Sequence, residues 1–502
     1  MAYFLKPEEL DKLQHAERED LRSPIPTRII SNGEFDPLPQ TEKQGQFEAR
    51  MQDLADTYGK KLGMDRREFL RSSCGMAAAF LALNDVFGPV FTVDQAEAAD
   101  PDVVLARAEG LKHQFVFDAQ THFVRDDFMH EEALGLRKFA GTHWNPSNEL
   151  LDPDQQELWM VKFENYVKEI FVDSDTDVAL LSGAPFDDPS WILVHNDQMV
   201  RARNIVNSIS GARRMLSHAV LKPTQEGWER EVDEAIEIHK PDAWKMYTIG
   251  DPFGTSNFPW RLDDEKLMYG TYEKMVKAGI TNVAVHKGLL PLDYMRSRAD
   301  TWQYATPWDV GKVAQDWPQL NFIIYHSACQ PFLELPDPQL ELFEQTGEIR
   351  WATDLARIPE EFGVTNVYAE LGTVFANCCV THPRLAAGLV GTLIKGMGAD
   401  HVIWGSEAPF YGSPQWEIEA MRRLEIPEDI QKKHGFAPLG VADSMVKNAI
   451  FGLNSAKMFG LDLRTARGPI SQDTFAQIRD EYHQSGGFYR NRSNAQYGFV
   501  QV

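Results

Sequence analysis

The stretch Asn321-Phe-Ile-Ile-Tyr-His326 is a short apolar run that closes on a polar residue, and it sets the pattern for the fold. Runs of this kind, rich in β-branched and aromatic residues, predict buried β-strands. Eight of them follow residue 100, and their starts lie roughly 25 to 65 residues apart, which leaves room for a helix between successive strands. The eight runs are 115–118, 177–182, 215–220, 243–247, 282–286, 321–326, 366–370 and 401–405.

Helical patterns fill the intervals between these runs. Four examples are 226–239, 264–278, 307–317 and 383–397, and some of them begin at Asp or Pro and end near Gly. Eight strand–helix repeats predict an α/β fold, a closed parallel (β/α)8 TIM barrel. The alternative is an open, doubly wound sheet, which calls for fewer strands and a Gly-rich turn after the first one. No GxGxxG occurs at that position.

The composition is that of a globular protein with acidic character. The chain has 502 residues, of which 43% are hydrophobic and 11% aromatic, so it can bury a large core. Its formal charge of -24 argues against nucleic acid or an anionic membrane surface as the main partner, because both need clustered Lys and Arg. The four cysteines include no CxxC pair, so they predict neither a zinc ribbon nor a disulfide framework.

The segment Met64-Asp65-Arg66-Arg67-Glu68-Phe69-Leu70-Arg71 resembles a twin-arginine export signal. An apolar run at 74–83 follows, too short for a membrane span of about 20 residues. Ala96-Glu97-Ala98 then offers a small-x-small site, which predicts cleavage before Ala99, passage through the twin-arginine machinery and a periplasmic or exported protein. The alternative is an ordinary surface helix with two adjacent arginines.

This signal divides the chain into three expected parts. Residues 1–63 form an N-terminal extension that we expect to be flexible, or else precede a true start at Met64. Residues 64–98 form the signal segment. Residues 99–502 form a single barrel domain with C-terminal helices and a tail.

Polar residues close several of the strand runs, and in a barrel the chemistry lies at the C-terminal ends of the strands. His122 follows strand one, His286 ends strand five, His326 ends strand six and Glu407 follows strand eight. Imidazole and carboxylate donors suit zinc, manganese or iron, and a site with an open position can activate water. We therefore expect one divalent ion, with zinc as the first choice.

Other residues at the same end are candidates for binding substrate. Lys245 on strand four has two possible roles. It either bridges two metal ions as a carbamate, or it anchors a substrate carboxylate or a loop. Trp144, Tyr247 and Tyr411, with Phe410, lie on predicted loops of this face and indicate an apolar or aromatic-lined pocket, although loop aromatics are as often packing residues.

The same motifs resemble those of the amidohydrolase-related family, which includes aminocarboxymuconate semialdehyde decarboxylase. The likeness runs from about Phe115 to Leu461 and rests on Asp-x-x-x-His in strand one, Val-His-Lys-Gly at 285–288, Tyr-His-Ser at 325–327, Trp-Gly-Ser-Glu at 404–407 and the closing segment 450–460. It implies a metal-dependent barrel of the hydrolase type and, because family members are often dimers, a homodimer as an alternative to a monomer.

The resemblance also implies a role for each site residue. His122 and His286 would ligate the metal, Glu407 would occupy the place of the strand-eight aspartate, and His326 would act beside the bound water. Two residues depart from the family pattern. Gln120 replaces the first member of a His-x-His pair and offers only a neutral carbonyl oxygen. Glu407 is longer than aspartate by one methylene, about 1.5 Å.

Three functions remain open from the sequence. The first is hydrolysis of an amide, ester or lactone of a small molecule by water that the metal activates, with His326 and Glu407 as catalytic residues. The second is release of carbon dioxide from an aromatic or unsaturated acid by the same metal centre. The third is a non-catalytic binding protein on a degenerate barrel, an alternative that the departures at Gln120 and Glu407 raise.

Overall fold

Eight parallel strands form the centre of the molecule in the order in which they occur along the chain. The computed structural model describes residues 24–25, 28–29, 41–128, 130, 158–252, 256–289, 300–330, 338–409, 413–484 and 500–501. The strands are β1 Phe117–Thr121, β2 Val178–Leu181, β3 Met215–Val220, β4 Ala243–Tyr247, β5 Asn282–His286, β6 Asn321–Tyr325, β7 Val367–Glu370 and β8 Val402–Ile403. The predicted (β/α)8 barrel is therefore confirmed, and each strand overlaps its predicted run.

Contacts between the first and last strands close the barrel. The Ala119 amide donates to the Trp404 carbonyl at 3.0 Å, and Thr121 forms a parallel bridge with Ala408. Further along the chain, the Glu407 amide donates to the Gln120 carbonyl at 2.8 Å. Gln120 and Glu407, two candidate site residues, thus lie side by side, because the barrel closes where β1 meets the segment after β8.

The interior of the barrel is apolar at one level and polar at the next. Side chains from seven strands form one buried cluster, which includes Phe117, Leu180, Leu216, Ala243, Ala284, Ile323 and Ile403. Alternate residues of a strand face the same side. On β3, β4, β5 and β6, the residue two positions after the one in this cluster is polar. These residues are His218, Lys245, His286 and Tyr325. Strand periodicity therefore places a polar layer above the apolar core.

Helices surround the barrel, and further helices precede its first strand and follow its last strand. They are α1 Glu42–Leu62, α2 Arg66–Arg71, α3 Ser73–Phe87, α4 Gln95–Ala99, α5 Pro101–Leu111, α6 Phe163–Phe171, α7 Asn196–Ser210, α8 Trp228–Glu234, α9 Glu265–Ala278, α10 Val310–Asp316, α11 Pro338–Thr346, α12 Ala352–Phe362, α13 Gly372–Thr381, α14 Pro383–Met397, α15 Gln415–Arg423, α16 Glu428–His434, α17 Met445–Asn448, α18 Asn454–Met458, α19 Leu463–Ile470 and α20 Thr474–Gln484. The four helices predicted between strands correspond to α8, α9, α10 and α14.

The helices α1 to α5 form a unit that packs on the barrel. Within the extension expected to be flexible, residues 42–62 form α1, whose buried side chains recur at helical spacing: Phe47, Met51, Leu54, Ala55 and Tyr58. This stripe packs in the same hydrophobic core as barrel residues. Among the described residues, no helix combines the length and hydrophobicity needed to cross a membrane.

Candidate metal-binding active site

Four of the predicted site residues converge at the C-terminal end of the barrel. His122, His286, His326 and Glu407 come from four separate strand ends, and none of them is more than 3% exposed. The carboxylate of Glu407 lies between two of the imidazoles. Its Oε1 is 3.8 Å from His122 Nε2, and its Oε2 is 3.7 Å from His326 Nδ1.

The backbone around Glu407 holds this carboxylate in position. Glu407 has a φ of 64°, a left-handed conformation that is uncommon for a residue with a side chain, and its amide donates to the Gln120 carbonyl. The next residue, Ala408, accepts a hydrogen bond from the His122 amide at 2.8 Å. His122 and Glu407 are therefore fixed against each other by the main chain as well as by their side chains.

Each histidine is oriented by a neighbour. His122 Nδ1 lies 2.9 Å from the Ser182 carbonyl, so Nε2 is the nitrogen that faces Glu407. The His286 ring stacks on Tyr247 at 4.5 Å and meets the His326 ring edge to face at 4.7 Å. The Ser182 carbonyl thus orients His122, and the Tyr247 ring packs against His286.

His326 lies in a strained turn that a buried carboxylate supports. His326, Ser327 and Ala328 all have positive φ values, and the His326 amide donates to Glu370 Oε2 at 3.0 Å. The Ser327 hydroxyl donates to the Glu370 carbonyl at 2.8 Å. Glu370 thus stabilises the conformation that brings His326 to the site.

Lys245 lies deep in the polar layer, within an aromatic setting. Its side chain is fully buried, and Nζ is 3.5 Å from the centroid of the Tyr325 ring and 5.1 Å from that of Tyr247. The electron-rich faces of these rings stabilise a cation that burial would otherwise penalise. Lys245 and Tyr247, both predicted to bind substrate, are therefore neighbours on one wall of the site.

Gln120 contacts the other candidate ligands. Its Nε2 donates to Glu407 Oε1 at 3.0 Å and lies 3.4 Å from His122 Nε2, while its Oε1 has no hydrogen-bond partner among the described residues. A half-turn of the amide exchanges the oxygen and nitrogen atoms without changing the shape of the side chain. The carbonyl oxygen then faces Glu407 and His122, the orientation in which Gln120 would serve as a ligand.

The buried imidazoles are held in their neutral form. Burial, followed by the charge of Lys245, lowers the pKa of His122 to about 3. Burial also lowers the pKa of His326 well below its usual value, and the neighbouring His286 and Lys245 lower it further. Neutral imidazole is the form that binds metal ions.

The donor set suits one metal ion in its chemistry, and one pair of candidate ligands has a suitable spacing. Ligand bonds of about 2.0 to 2.2 Å put two ligands of one ion about 3 to 4 Å apart. The separation of 3.8 Å between Glu407 Oε1 and His122 Nε2 lies in this range. Among the described residues, however, no group of three or more His, Cys, Asp or Glu side chains is arranged so that it could hold a metal ion.

One protein-family model matches part of the chain. Residues 251–461 match the amidohydrolase family model. The match spans less than half of the 502 residues, and it contains His286, His326 and Glu407 but not Gln120 or His122. The match ends at Leu461, which is also the predicted end of the family likeness. It begins at residue 251, after β4, whereas the predicted likeness begins at Phe115. No curated protein sequence matches the chain.

Several solved structures are similar to the chain in fold. A putative amidohydrolase from Staphylococcus aureus is 15% identical, with a TM-score of 0.40 over 69% of this chain and all of that one. A 2,6-dihydroxybenzoate decarboxylase from Rhizobium is 13% identical, with a TM-score of 0.40 over 70% of this chain and 99% of that one. A 5-carboxyvanillate decarboxylase from Novosphingobium aromaticivorans with bound manganese is 12% identical, with a TM-score of 0.39 over 70% and 99%.

Three further residues of this candidate site were missed as functional candidates. His218 on β3 is fully buried, and its Nε2 lies 3.4 Å from the Tyr325 hydroxyl. Glu370 supports His326, and Asp118 binds the segment that carries Glu407. Strand alternation from Leu216 could have indicated His218. The roles of Glu370 and Asp118 depend on contacts between distant segments, which sequence spacing does not show.

Some predicted substrate contacts lie outside the described residues. Trp144 and Tyr411, with Phe410, fall in such segments. The aromatic wall that the structure does describe is formed by Tyr247 together with Tyr325, one at the end of β4 and the other at the end of β6.

Proposed function

We propose that the chain is a metal-dependent hydrolase of the amidohydrolase type that uses an activated water on an amide, ester or lactone of a small molecule. The observation that carries this proposal is the position of the Glu407 carboxylate between His122 and His326, at 3.8 and 3.7 Å. A buried carboxylate flanked by neutral imidazoles supplies both ligands and proton acceptors.

His122, His286 and Glu407 would hold one divalent ion, with Gln120 as a weaker carbonyl ligand. Zinc is the ion we expect, and manganese or iron are the alternatives. When bound, such an ion supplies Lewis acidity and lowers the pKa of water from about 15.7 toward about 7.

His326 and Glu407 are placed to move the protons of the reaction. A neutral His326 accepts a proton from the attacking water, because its lowered pKa keeps the imidazole unprotonated beforehand. Glu407 Oε2, 3.7 Å from His326 Nδ1, can take this proton on and deliver it to the leaving group. The burial of both side chains limits the competition of bulk water for these protons.

Lys245 and Tyr247 would bind the substrate. The buried ammonium of Lys245 would pair with an anionic substrate group, and the Tyr247 ring, already stacked on His286, would cover an apolar portion. The substrate would therefore be small, partly apolar and negatively charged.

Lys245 also favours a second candidate, the non-oxidative decarboxylation of an unsaturated or aromatic acid. Lys245 is fully buried, and its charge lowers the pKa values of His122, His218 and His326. A cation in this position is suited to hold a substrate carboxylate beside the metal site. The proton that replaces carbon dioxide would come from water and would reach the substrate carbon through His326, the neutral imidazole passing on one proton as it takes up another.

A product assay separates the two reactions. Enzyme loaded with zinc or manganese is incubated with one panel of amides, esters and lactones and one panel of carboxylic acids. Both proposals require turnover that a chelator abolishes and added metal restores. Hydrolysis is supported by carboxylate products from the first panel, and decarboxylation by carbon dioxide from the second. A metal-loaded protein that binds members of the panels without converting any of them would instead support the non-catalytic alternative.

A further inference from the structure

The apolar run predicted to be the core of an export signal is buried inside the folded protein. From Ala77 to Phe80 every side chain is fully buried, as are Ala82 and Leu83 at the other end of the run. These residues belong to the same hydrophobic core as Trp404 and Leu424 of the barrel domain. A removable signal would not be expected to contribute to the core of the protein that it leaves.

The chain that follows this run adds main-chain hydrogen bonds to the barrel domain. The Thr92 amide donates to the Arg423 carbonyl at 2.7 Å, and the Glu425 amide donates to the Val90 carbonyl at 2.8 Å. Between them Phe91 and Leu424 form an antiparallel bridge. Removing residues up to 98 would leave these backbone groups without their partners.

The predicted cleavage site is folded and contains a buried ion pair. Residues 95–99 form α4, and within it Ala98 is fully buried. Glu97 Oε2 accepts from Arg423 Nη2 at 2.6 Å, and the Arg423 guanidinium also lies 5.4 Å above the Phe80 ring. Proteases favour exposed, flexible segments. Cleavage here would also remove a carboxylate and an aromatic ring from an arginine that is 1% exposed.

The first of the twin arginines, Arg66, has a structural role in the folded protein. Asp65 and Glu68, which flank them, form a reciprocal capping box at the start of α2. Arg66 makes a two-pronged ion pair with Asp56 of α1, at 2.7 and 2.6 Å. The Asp-Arg-Arg-Glu sequence thus begins a helix and attaches it to its neighbour.

We infer that residues 64–98 are a permanent structural element and are not removed before Ala99. Their role is to brace α15, the helix that begins eight residues after Glu407 and ends at Arg423. Residues 64–98 thereby stabilise the last β/α repeat, whose loop carries the Glu407 carboxylate into the site. This inference does not depend on the reaction that the site catalyses.

The mass of the intact protein tests the inference directly. The full chain is expressed in a bacterium with a working twin-arginine pathway, and the mass is measured separately for the cytoplasmic and periplasmic fractions. We expect an N-terminus at or before Met64 in every fraction that contains the protein. A chain that begins at Ala99, or anywhere between residues 65 and 99, in either fraction overturns the inference.

Thermal unfolding of full-length variants gives a second readout. Phe80→Ala and Glu97→Gln should each lower the Tm by at least about 2 °C, because both side chains pack on Arg423. The matched control is Glu428→Gln, which breaks an exposed ion pair with Lys432 and should leave the Tm unchanged. Equal Tm values for wild type and both test variants would show that the segment is not part of the stable fold.

Discussion

At the scale of single residues, Asp118 contributes no candidate ligand, yet it determines where two of them lie. Its Oδ1 accepts hydrogen bonds from the amides of Gln120 and Ser406, at 3.2 and 3.0 Å, and its Oδ2 accepts a short one from the Ser406 hydroxyl. That hydroxyl accepts in turn from the Ala408 amide at 3.0 Å. One carboxylate thus joins the end of β1 to both sides of Glu407.

We expect Asp118→Asn to weaken metal binding about 10- to 100-fold, the usual cost of losing a residue that orients ligands. The amide that replaces Oδ1 or Oδ2 cannot accept all three hydrogen bonds, so Glu407 should shift away from His122. Metal affinity is measured by titration of the metal-free protein. The control is Asp443→Asn, a partly exposed aspartate near His113. Equal affinities in wild type and Asp118→Asn would show that Asp118 does not position the site.

The sequence indicates candidate ligands more readily than it indicates the residues that position them. His122, His286, His326 and Glu407 could be recognised because each closes or follows one apolar run, and barrels gather those positions together. Asp118 could not be assigned a role, because its partner Ser406 is 288 residues away along the chain. Only the closure of the barrel brings the two together.

At the scale of elements, the segment after β8 depends on a glycine. A β-carbon on Gly405 would lie 1.9 Å from Glu370 Oε1 and 3.2 Å from the Gln120 β-carbon. Glu370 supports the turn at His326, so any side chain at 405 would disturb two strand ends at once.

We expect Gly405→Ala to lower the free energy of unfolding by about 1 to 3 kcal/mol, because it overpacks a buried site. The control is Gly110→Ala in α5, where a β-carbon meets nothing within 4 Å and the better helix former should be neutral or slightly stabilising. Urea denaturation measures both. A Gly405→Ala protein as stable as Gly110→Ala would contradict the close approach of Glu370.

Some secondary-structure elements could be predicted from the sequence, and others could not. Strands β3, β4 and β5 have the predicted bounds, because each is an uninterrupted buried run. The helix α1 was not predicted, since residues 1–63 were expected to form one flexible extension. Its apolar stripe is sparse, and its partner is another N-terminal helix, α3, that was interpreted as a signal.

At the scale of the whole molecule, a network of ion pairs joins the N-terminal helices to the barrel. Glu419 of α15 pairs with Arg107 of α5 at 2.7 Å and with Arg422 at 3.0 Å, and Arg422 also pairs with Asp175 at 2.6 Å. Burial by itself raises the pKa of Glu419, but Arg107, Arg422 and Arg423 outweigh it and hold the pKa below the usual range.

This network predicts a loss of stability in acid. A carboxyl group whose pKa is lowered in the folded state stabilises the protein above its unfolded pKa, about 4.3 for Glu, and loses that contribution as the pH falls toward the folded pKa. We expect the Tm to fall below about pH 4.3 and to fall less steeply in Glu419→Gln, which should already be less stable at pH 7. Parallel Tm profiles for wild type and Glu419→Gln would contradict this role for the network.

We expect a metal centre at the C-terminal end of the barrel, and elemental analysis of the purified protein tests this expectation. The protein is loaded with zinc or manganese and desalted, alongside His122→Ala, His286→Ala and the control His113→Ala, an exposed histidine outside the site. We expect about one ion per chain in wild type and His113→Ala, and little in the two site variants. A wild-type protein that retains no metal, or site variants that retain as much as wild type, would contradict the account.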